Sequence, residues 1–167
     1  MVDAQDVIAA LQSQQCTLAV AESCTGGLLG ASLTEIPGAS AVFLGGVIAY
    51  GDEAKHRILD VPEDKLANLG AVSGAGVEAM AHAARDRFQT DMAVAVSGIA
   101  GPTGARPGKP VGTVWIATLG PGHLMDVRRL HLDGDRDAIR RGSVAACLEM
   151  CMESLLEAER AGAESAP

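Results

Sequence analysis

Hydrophobic residues follow two alternating patterns along this chain. Short apolar runs rich in β-branched residues predict buried strands at about 16–20, 41–50, 91–96, 111–119 and 124–132. Between most of these runs, apolar residues recur every three or four positions, which predicts helices over about 3–14, 28–36, 53–59, 62–68, 75–88 and 135–160. Because strands and helices alternate for most of the length, we predict an α/β fold with three αβα layers and a mixed sheet of about five strands.

The last two predicted strands are joined by a short turn, Gly120-Pro121-Gly122. Such a turn favours an antiparallel hairpin, which is why we expect the sheet to be mixed. A chain of 167 residues suffices for one hydrophobic core but is short for two. We therefore expect a single domain over residues 1–160 and a flexible tail over 161–167.

Composition narrows the class of protein. Apolar residues make up 48% of the chain but aromatic residues only 2%, so the core must be built from Ala, Val, Leu and Ile. The net charge of −8 argues against nucleic acid as the main partner, since phosphate backbones are bound by basic surfaces. The sequence has neither an apolar run that could span a bilayer nor a signal-peptide pattern, so we expect a cytoplasmic protein. We also expect a homo-oligomer, because the domain is rich in alanine and poor in aromatic residues.

The cysteines and histidines do not form a metal-binding pattern. No C-x-x-C pair occurs among the four cysteines, which are Cys16, Cys24, Cys147 and Cys151. In an acidic chain of this kind we expect all four to be small buried hydrophobic residues. The four histidines are scattered, without the spacing of metal ligands. We therefore expect no metal.

A hydroxyl-rich turn, residues 21–27, joins the first predicted strand to the next helix. It reads A-E-S-C-T-G-G and carries Ser23 and Thr25. In open α/β sheets such a strand end is where ligands bind. The start of the helix should offer its backbone N–H groups and partial positive charge to a phosphate or an oxyanion. Gly26 and Gly27 would let a ligand approach the backbone closely.

Two further stretches follow predicted strands, namely Tyr50-Gly51 and the Gly- and Pro-rich segment 97–110. The carboxyl ends of parallel strands meet at one edge of a sheet, so these stretches and the Ser23 turn should share a cleft. We expect the cleft to be lined by hydroxyl and cationic side chains: Ser23, Thr25, Tyr50, Ser97, Thr103, Thr113, Lys55, Lys109 and Arg136.

Six motifs give the sequence a family resemblance. They are A-E-S-C-T-G-G at 21–27, Y-G-D-E-A-K at 50–55, G-A-V-S at 70–73, S-G-I-A-G-P-T-G at 97–104, K-P-V-G-T-V at 109–114 and G-D-R-D-A-I-R at 134–140. In this order they resemble the carboxy-terminal domain of CinA, the competence/damage-inducible proteins, in the stand-alone form that acts as nicotinamide-nucleotide amidohydrolase. The resemblance runs from about Val7 to about Leu156 and implies the same three-layer fold, without the amino-terminal domain of longer CinA proteins.

The resemblance also implies a reaction. The expected substrate is nicotinamide mononucleotide, whose carboxamide is hydrolysed to nicotinate mononucleotide and ammonia without a metal or other cofactor. No histidine falls in a motif, so a serine–lysine pair fits better than a Ser-His-Asp triad, with Ser23 as nucleophile and Lys55 as base. A lysine base must be partly neutral, so its pKa should be lowered. Tyr50 would relay a proton or hold Lys55.

The remaining motif residues are expected to bind substrate. Backbone N–H groups of the Ser23 turn would form the oxyanion hole. Lys109 and Arg136 are the two candidate cations for the substrate phosphate, and the residues alone do not choose between them. The expected contacts are Thr25, Gly26, Gly27, Ser97, Gly98, Gly101, Thr103, Lys109, Thr113 and Arg136.

Each of these residues has an ordinary structural interpretation when taken alone. Ser23 could be only a helix N-cap, Lys55 a solvated charge and Tyr50 a half-buried strand residue. Lys109 and Arg136 could be surface charges. Cys24 is a rival nucleophile beside Ser23. The six motifs together favour the catalytic interpretation.

The sequence departs from the family pattern at two places. Members commonly have arginine where Gly45 stands, and Y-S-N-E-A-K where this chain has Y-G-D-E-A-K. These changes leave open a non-catalytic nucleotide-binding or regulatory module that has lost turnover. A DNA-uptake factor is suggested only by the family's historical name, and the acidic balance opposes it.

Overall fold

The computed structural model describes residues 1–164, apart from the side chains at positions 65, 69 and 164. The helices are α1 (Ala4–Ser13), α2 (Leu28–Thr34), α3 (Asp52–Leu59), α4 (Glu63–Leu69), α5 (Gly74–Phe88) and α6 (Arg136–Glu164). The strands are β1 (Leu18–Glu22), β2 (Phe43–Ile48), β3 (Met92–Gly98), β4 (Thr113–Leu119) and β5 (Met125–His131).

The five strands form one mixed sheet in the order β2-β1-β3-β4-β5. Strand β1 is paired in parallel with β2 and with β3. The pairs β3–β4 and β4–β5 are antiparallel. The predicted mixed sheet is therefore confirmed, and the carboxyl ends of β1, β2 and β3 meet at one edge.

Hydrophobic side chains fill the space on both faces of the sheet, which confirms the three-layer arrangement. Successive strand residues point to opposite faces. Val20 and Val94 belong to a core with α1, α2 and α6, whereas Ala19, Ala21 and Ala93 belong to a second core with α5. The small alanine side chains on this second face allow α5 to pack closely, which is how a core with few aromatic residues is filled.

Several predicted boundaries near the sheet edge need correction. Strand β1 begins two residues late and ends at Glu22, so Ser23 follows it directly. Ser97 and Gly98 belong to β3 rather than to the loop, because they pair with Trp115 and Val114 of β4.

Two helix ends also differ from the prediction. Helix α3 begins at Asp52, one residue before its predicted start, and Gly51 occupies the cap position without a side-chain bond. Helix α6 continues to Glu164, past its expected end at 160, and residues 165–167 of the predicted tail lie outside the described residues. Ser73 is the N-cap of α5, since its hydroxyl accepts a hydrogen bond from Gly76 N at 3.1 Å.

None of the described helices combines the length and the apolar character needed to cross a membrane. The four cysteines are buried and unpaired, as expected. Among the described residues, no group of three or more His, Cys, Asp or Glu side chains is arranged to hold a metal ion.

Candidate active site

A pocket of about 250 Å³ lies at the carboxyl ends of the parallel strands. The three predicted stretches all contribute to it, as do the loop before α5 and the start of α6. Its lining residues are Ser23, Cys24, Tyr50, Asp52, Lys55, Gly70, Ala71, Val72, Ser97, Gly98, Ile99, Ala100, Gly104, Arg106, Lys109 and Arg136. The lining therefore carries four cationic side chains and one carboxylate, although the whole chain is acidic.

Ser23 lies in a fixed turn at the end of β1. Its backbone N–H donates to Val96 O of β3 at 3.0 Å, and its carbonyl accepts from Gly26 N at 3.0 Å. The residue is buried, and its hydroxyl donates to the Tyr50 carbonyl oxygen over 3.5 Å. A hydroxyl held this loosely is free to turn toward another acceptor.

Lys55 is a buried lysine, with only 2% of its surface exposed. It lies one turn into α3, and Nζ donates to the Tyr50 carbonyl oxygen at 3.0 Å and to Asp52 Oδ1 at 3.5 Å. Burial lowers the pKa of Lys55, and the Asp52 carboxylate opposes this effect without reversing it. At a given pH, the neutral fraction of Lys55 is therefore larger than that of an ordinary lysine, and the neutral amine is the form that a base requires.

The Tyr50 carbonyl oxygen brings Ser23 and Lys55 together. Ser23 Oγ and Lys55 Nζ each lie within 3.5 Å of that oxygen, but among the described residues no hydrogen bond joins the two side chains directly. The Tyr50 ring is elsewhere, since 60% of the residue is exposed and its hydroxyl is bonded to Arg136 Nη2 at 2.9 Å. Tyr50 thus holds Lys55 through its backbone.

Cys24 is a poor rival to Ser23. The residue is buried, and burial raises the pKa of its thiol to about 11. Since the thiolate is the reactive form of cysteine, this side chain is unreactive at neutral pH.

Ser97 lines the pocket from the end of β3. It is 1% exposed, and its hydroxyl has no hydrogen-bond partner among the residues that the structure describes. Gly98 beside it is needed for close packing, because a Cβ there would come within 2.9 Å of the Thr113 carbonyl oxygen. Thr113 is buried in β4 and is not among the lining residues.

The start of α2 does not offer its backbone N–H groups to a ligand, so that prediction is wrong. The buried Glu22 carboxylate accepts hydrogen bonds from Gly27 N at 3.0 Å, Leu29 N at 3.1 Å and Gly30 N at 2.8 Å. A full negative charge already satisfies the positive end of this helix. Gly27 therefore binds Glu22, with a positive φ of 95°.

Arg140 of α6 holds the same turn from the other side. Its guanidinium donates to the carbonyl oxygens of Cys24 at 3.2 Å and Thr25 at 2.7 Å. A Cβ at Gly26 would lie 3.6 Å from this guanidinium. Thr25 is fully buried with an unpartnered hydroxyl, and neither Thr25 nor Gly26 lines the pocket.

Arg136 forms part of the pocket wall. Besides the Tyr50 hydroxyl, its guanidinium donates to the Gly101 carbonyl oxygen at 2.8 Å. Gly101 is thus connected to the pocket through Arg136 without lining it, and Thr103 is exposed in the same loop. Of the predicted site residues, the structure brings together Ser23, Tyr50, Lys55, Ser97, Gly98, Lys109 and Arg136.

Sequence reasoning missed Glu22, Arg140, Asp52 and Arg106 as parts of this region. All but Arg106 lie within the recognised motifs, which was the available signal.

A model of one protein family matches residues 3–155, and its description is the CinA C-terminal domain. The chain belongs to the CinA C-terminal domain family. It is 50% identical over 151 residues to a CinA-like protein of Parasynechococcus marenigrum, covering 90% of this chain and 36% of that protein. It is 46% identical over 154 residues to a CinA-like protein of Thermotoga neapolitana, covering 92% of this chain and 37% of that protein. The chain thus spans about a third of the length of these curated relatives.

Solved structures of the CinA superfamily have the same fold. A CinA superfamily protein from Klebsiella pneumoniae is similar with a TM-score of 0.89 and 36% identity, over 92% of this chain and 96% of that one. The competence/damage-inducible protein CihA from Agrobacterium tumefaciens is similar with a TM-score of 0.87 and 39% identity, over 90% and 92%. These comparisons confirm the family and the α/β fold.

Proposed function

We propose that this CinA-type domain hydrolyses the carboxamide of nicotinamide mononucleotide to nicotinate mononucleotide and ammonia. The observation that carries the proposal is the convergence of Ser23 and Lys55 on the Tyr50 carbonyl oxygen, inside a pocket rich in cations. A serine hydroxyl, a lysine of lowered pKa and an anion-binding lining are what a serine–lysine amidase acting on a phosphorylated substrate requires.

In this mechanism the neutral Lys55 amine takes the proton of the Ser23 hydroxyl as Oγ attacks the carboxamide carbon. The resulting tetrahedral adduct collapses, the C–N bond breaks, and the Lys55 ammonium returns the proton to the departing ammonia. A water molecule then attacks the nicotinoyl ester and gives its proton to Lys55. The bond between the acyl carbon and Ser23 Oγ breaks, Lys55 passes that proton to Oγ, and nicotinate mononucleotide leaves.

The Ser23 turn also supplies candidates for the oxyanion hole. The amides of Ser23, Gly26 and Gly27 already donate to protein acceptors. The described residues provide no backbone acceptor for the amides of Cys24 and Thr25. We assign the developing oxyanion to the Cys24 amide, because Cys24 lines the pocket directly after the nucleophile whereas Thr25 does not line it.

Ser97 is assigned to substrate binding. A buried hydroxyl without a partner costs about 1–3 kcal/mol, and a substrate polar atom in the pocket would recover this energy. Ser97 is only 1% exposed, so this contact requires its hydroxyl to be uncovered when the substrate binds.

Ammonia release from nicotinamide mononucleotide by the purified protein tests the proposal. Ser23→Ala and Lys55→Ala should each lower kcat by about 10³-fold or more. Ser13→Ala is the matched control, because Ser13 is an exposed residue of α1 whose Oγ donates to Ala10 O, and it does not line the pocket. Equal activity of the wild type and both pocket variants would refute the assignment.

A non-catalytic nucleotide-binding module is the alternative outcome of the same experiment. It would bind the mononucleotide tightly and release no ammonia. The Gly45 departure does not favour it, since Gly45 lies on β2 outside the pocket lining, where a Cβ would come 2.7 Å from Phe88 Cε1. The Asp52 departure does bear on it, because an added carboxylate beside Lys55 favours the charged amine.

The proposal also includes a cytoplasmic location and a homo-oligomer. Sedimentation equilibrium of the purified chain measures the second point directly, and a monomer at micromolar concentration would contradict it.

A further inference from the structure

A tight hairpin places two cations at the pocket. Arg106 N donates to Lys109 O at 3.0 Å and Lys109 N to Arg106 O at 2.8 Å, so the two residues pair directly across Pro107-Gly108. Gly108 has a positive φ of 74°, and its carbonyl oxygen accepts a hydrogen bond from Arg129 of β5 at 2.6 Å. The turn is therefore tied to the sheet, and its cations keep a fixed separation along the backbone.

Both cations of this hairpin line the same pocket as Ser23 and Lys55. Lys109 reaches the wall before α5, where a Cβ on Gly70 would lie 3.4 Å from Lys109 Nζ. Among the described residues, the Arg106 guanidinium has neither a hydrogen-bond partner nor an ion pair. An unpaired guanidinium beside a second cation matches a phosphate monoester, which can take two parallel N–H···O bonds from one arginine.

Two further cations of the pocket, Lys55 and Arg136, are hydrogen-bonded within the protein. Lys55 is bonded to the Tyr50 carbonyl oxygen and to Asp52. The Arg136 guanidinium is divided between the Gly101 carbonyl oxygen and the Tyr50 hydroxyl. Binding a phosphate with Arg136 would break these wall contacts, whereas binding it with Arg106 breaks none.

We propose that the Arg106–Lys109 hairpin is the phosphate clamp of this pocket, and that Arg106 makes it select a nucleoside monophosphate over the matching nucleoside. The inference rests on the proposed function for the identity of the substrate. It adds Arg106, a residue outside the six motifs, to the candidate cations for the phosphate, and it places Lys109 beside Arg106 in the same hairpin.

The test compares nicotinamide mononucleotide with nicotinamide riboside, which differ only in the phosphate. Arg106→Ala should lower the ratio of kcat/KM for the mononucleotide over the riboside by about ten-fold, mainly through KM. Arg106→Lys should recover part of the ratio, because it keeps the charge and loses the bidentate geometry. Arg141→Ala is the control, since Arg141 is an exposed cation on α6 away from this pocket, and it should leave the ratio unchanged.

Calorimetric binding to the Ser23→Ala protein separates this inference from the proposed function. A preference for the mononucleotide that disappears in Ser23→Ala/Arg106→Ala supports the clamp, even if the wild type releases no ammonia and the proposed reaction is wrong. Equal binding of the two compounds, or a preference that survives Arg106→Ala, overturns the clamp while leaving amide hydrolysis standing. Thermal melts establish that each variant is folded.

Discussion

Replacing Asp52 with asparagine should make the Lys55 amine a more available base. Asp52 Oδ1 lies 3.5 Å from Lys55 Nζ, and asparagine keeps the shape of the side chain without its charge. Burial lowers the pKa of Lys55, and Asp52 is the charged neighbour that raises it; the protonated Cys24 thiol and the Tyr50 hydroxyl are the other titratable groups nearby. Removing the carboxylate therefore lowers the pKa of Lys55 further.

The size of the effect follows from the geometry. Two unit charges 3.5 Å apart interact by about 1 kcal/mol in water and about 5 kcal/mol at an effective dielectric constant of about 20. The Asp52 side chain is 64% exposed, so solvent screening places the pair near the lower value. About 1 kcal/mol corresponds to about a five-fold larger neutral fraction of Lys55 at any pH well below its pKa.

The assay is the pH dependence of kcat for ammonia release. Activity should rise with pH as Lys55 loses its proton, and in Asp52→Asn this rise should move to lower pH, with up to about five-fold more activity on the acidic side. Glu53→Gln is the matched control, because it removes an exposed carboxylate from the next position of α3 that pairs with Arg57. Titration of the Lys55 ε-methylene by NMR gives the same quantity without turnover. If the profiles of Asp52→Asn and wild type coincide, Lys55 is not the base whose protonation limits the rate.

Three further substitutions test how the pocket is supported. Ser97→Ala removes a buried hydroxyl that has no partner, so the free energy of unfolding in urea should stay constant or rise by about 1 kcal/mol while KM increases; a loss of stability would show that the hydroxyl is satisfied. Glu22→Gln removes the charge that binds three backbone amides and should cost about 1–3 kcal/mol, whereas an unchanged thermal melt would contradict its role. Gly46→Ala places a Cβ 2.4 Å from Val20 Cγ2 and should cost about 1–3 kcal/mol in urea unfolding, whereas Gly162→Ala, with open space around it, should be neutral or stabilising.

The fold could be predicted because local patterns and topology agree. Strand β1 is apolar from Leu18 to Ala21 and buried along its whole length including Glu22, as is typical of a central parallel strand. The short turn before β5 indicated the antiparallel pair. The order of strands was not accessible from the sequence, because it depends on contacts between distant segments: β3 pairs with β1 although about 70 residues separate them.

The sequence predicted which chain segments form the site, but it did not predict which of their atoms are in contact. Parallel strand ends meet at one edge, so the turns at Ser23 and Tyr50 had to lie near Ser97. Which atoms would meet could not be derived, since the Tyr50 backbone carbonyl, which carries no side-chain signal, holds both Ser23 and Lys55. The sequence predicted only that Tyr50 would relay a proton or hold Lys55.

Glu22 explains why the sequence misled about anion binding. From the sequence, a helix start with two glycines after a serine indicates a phosphate site, and only the direction of the Glu22 side chain shows that the site is filled. A phosphate at that point would lie beside a buried carboxylate and be repelled by it. In the proposed mechanism the substrate phosphate would therefore bind away from the start of α2, and we assign it to the Arg106–Lys109 hairpin. The carboxamide would then be directed toward Ser23: with the anionic end of the substrate held at the hairpin, the neutral end is the one that can approach the Glu22–Ser23 turn.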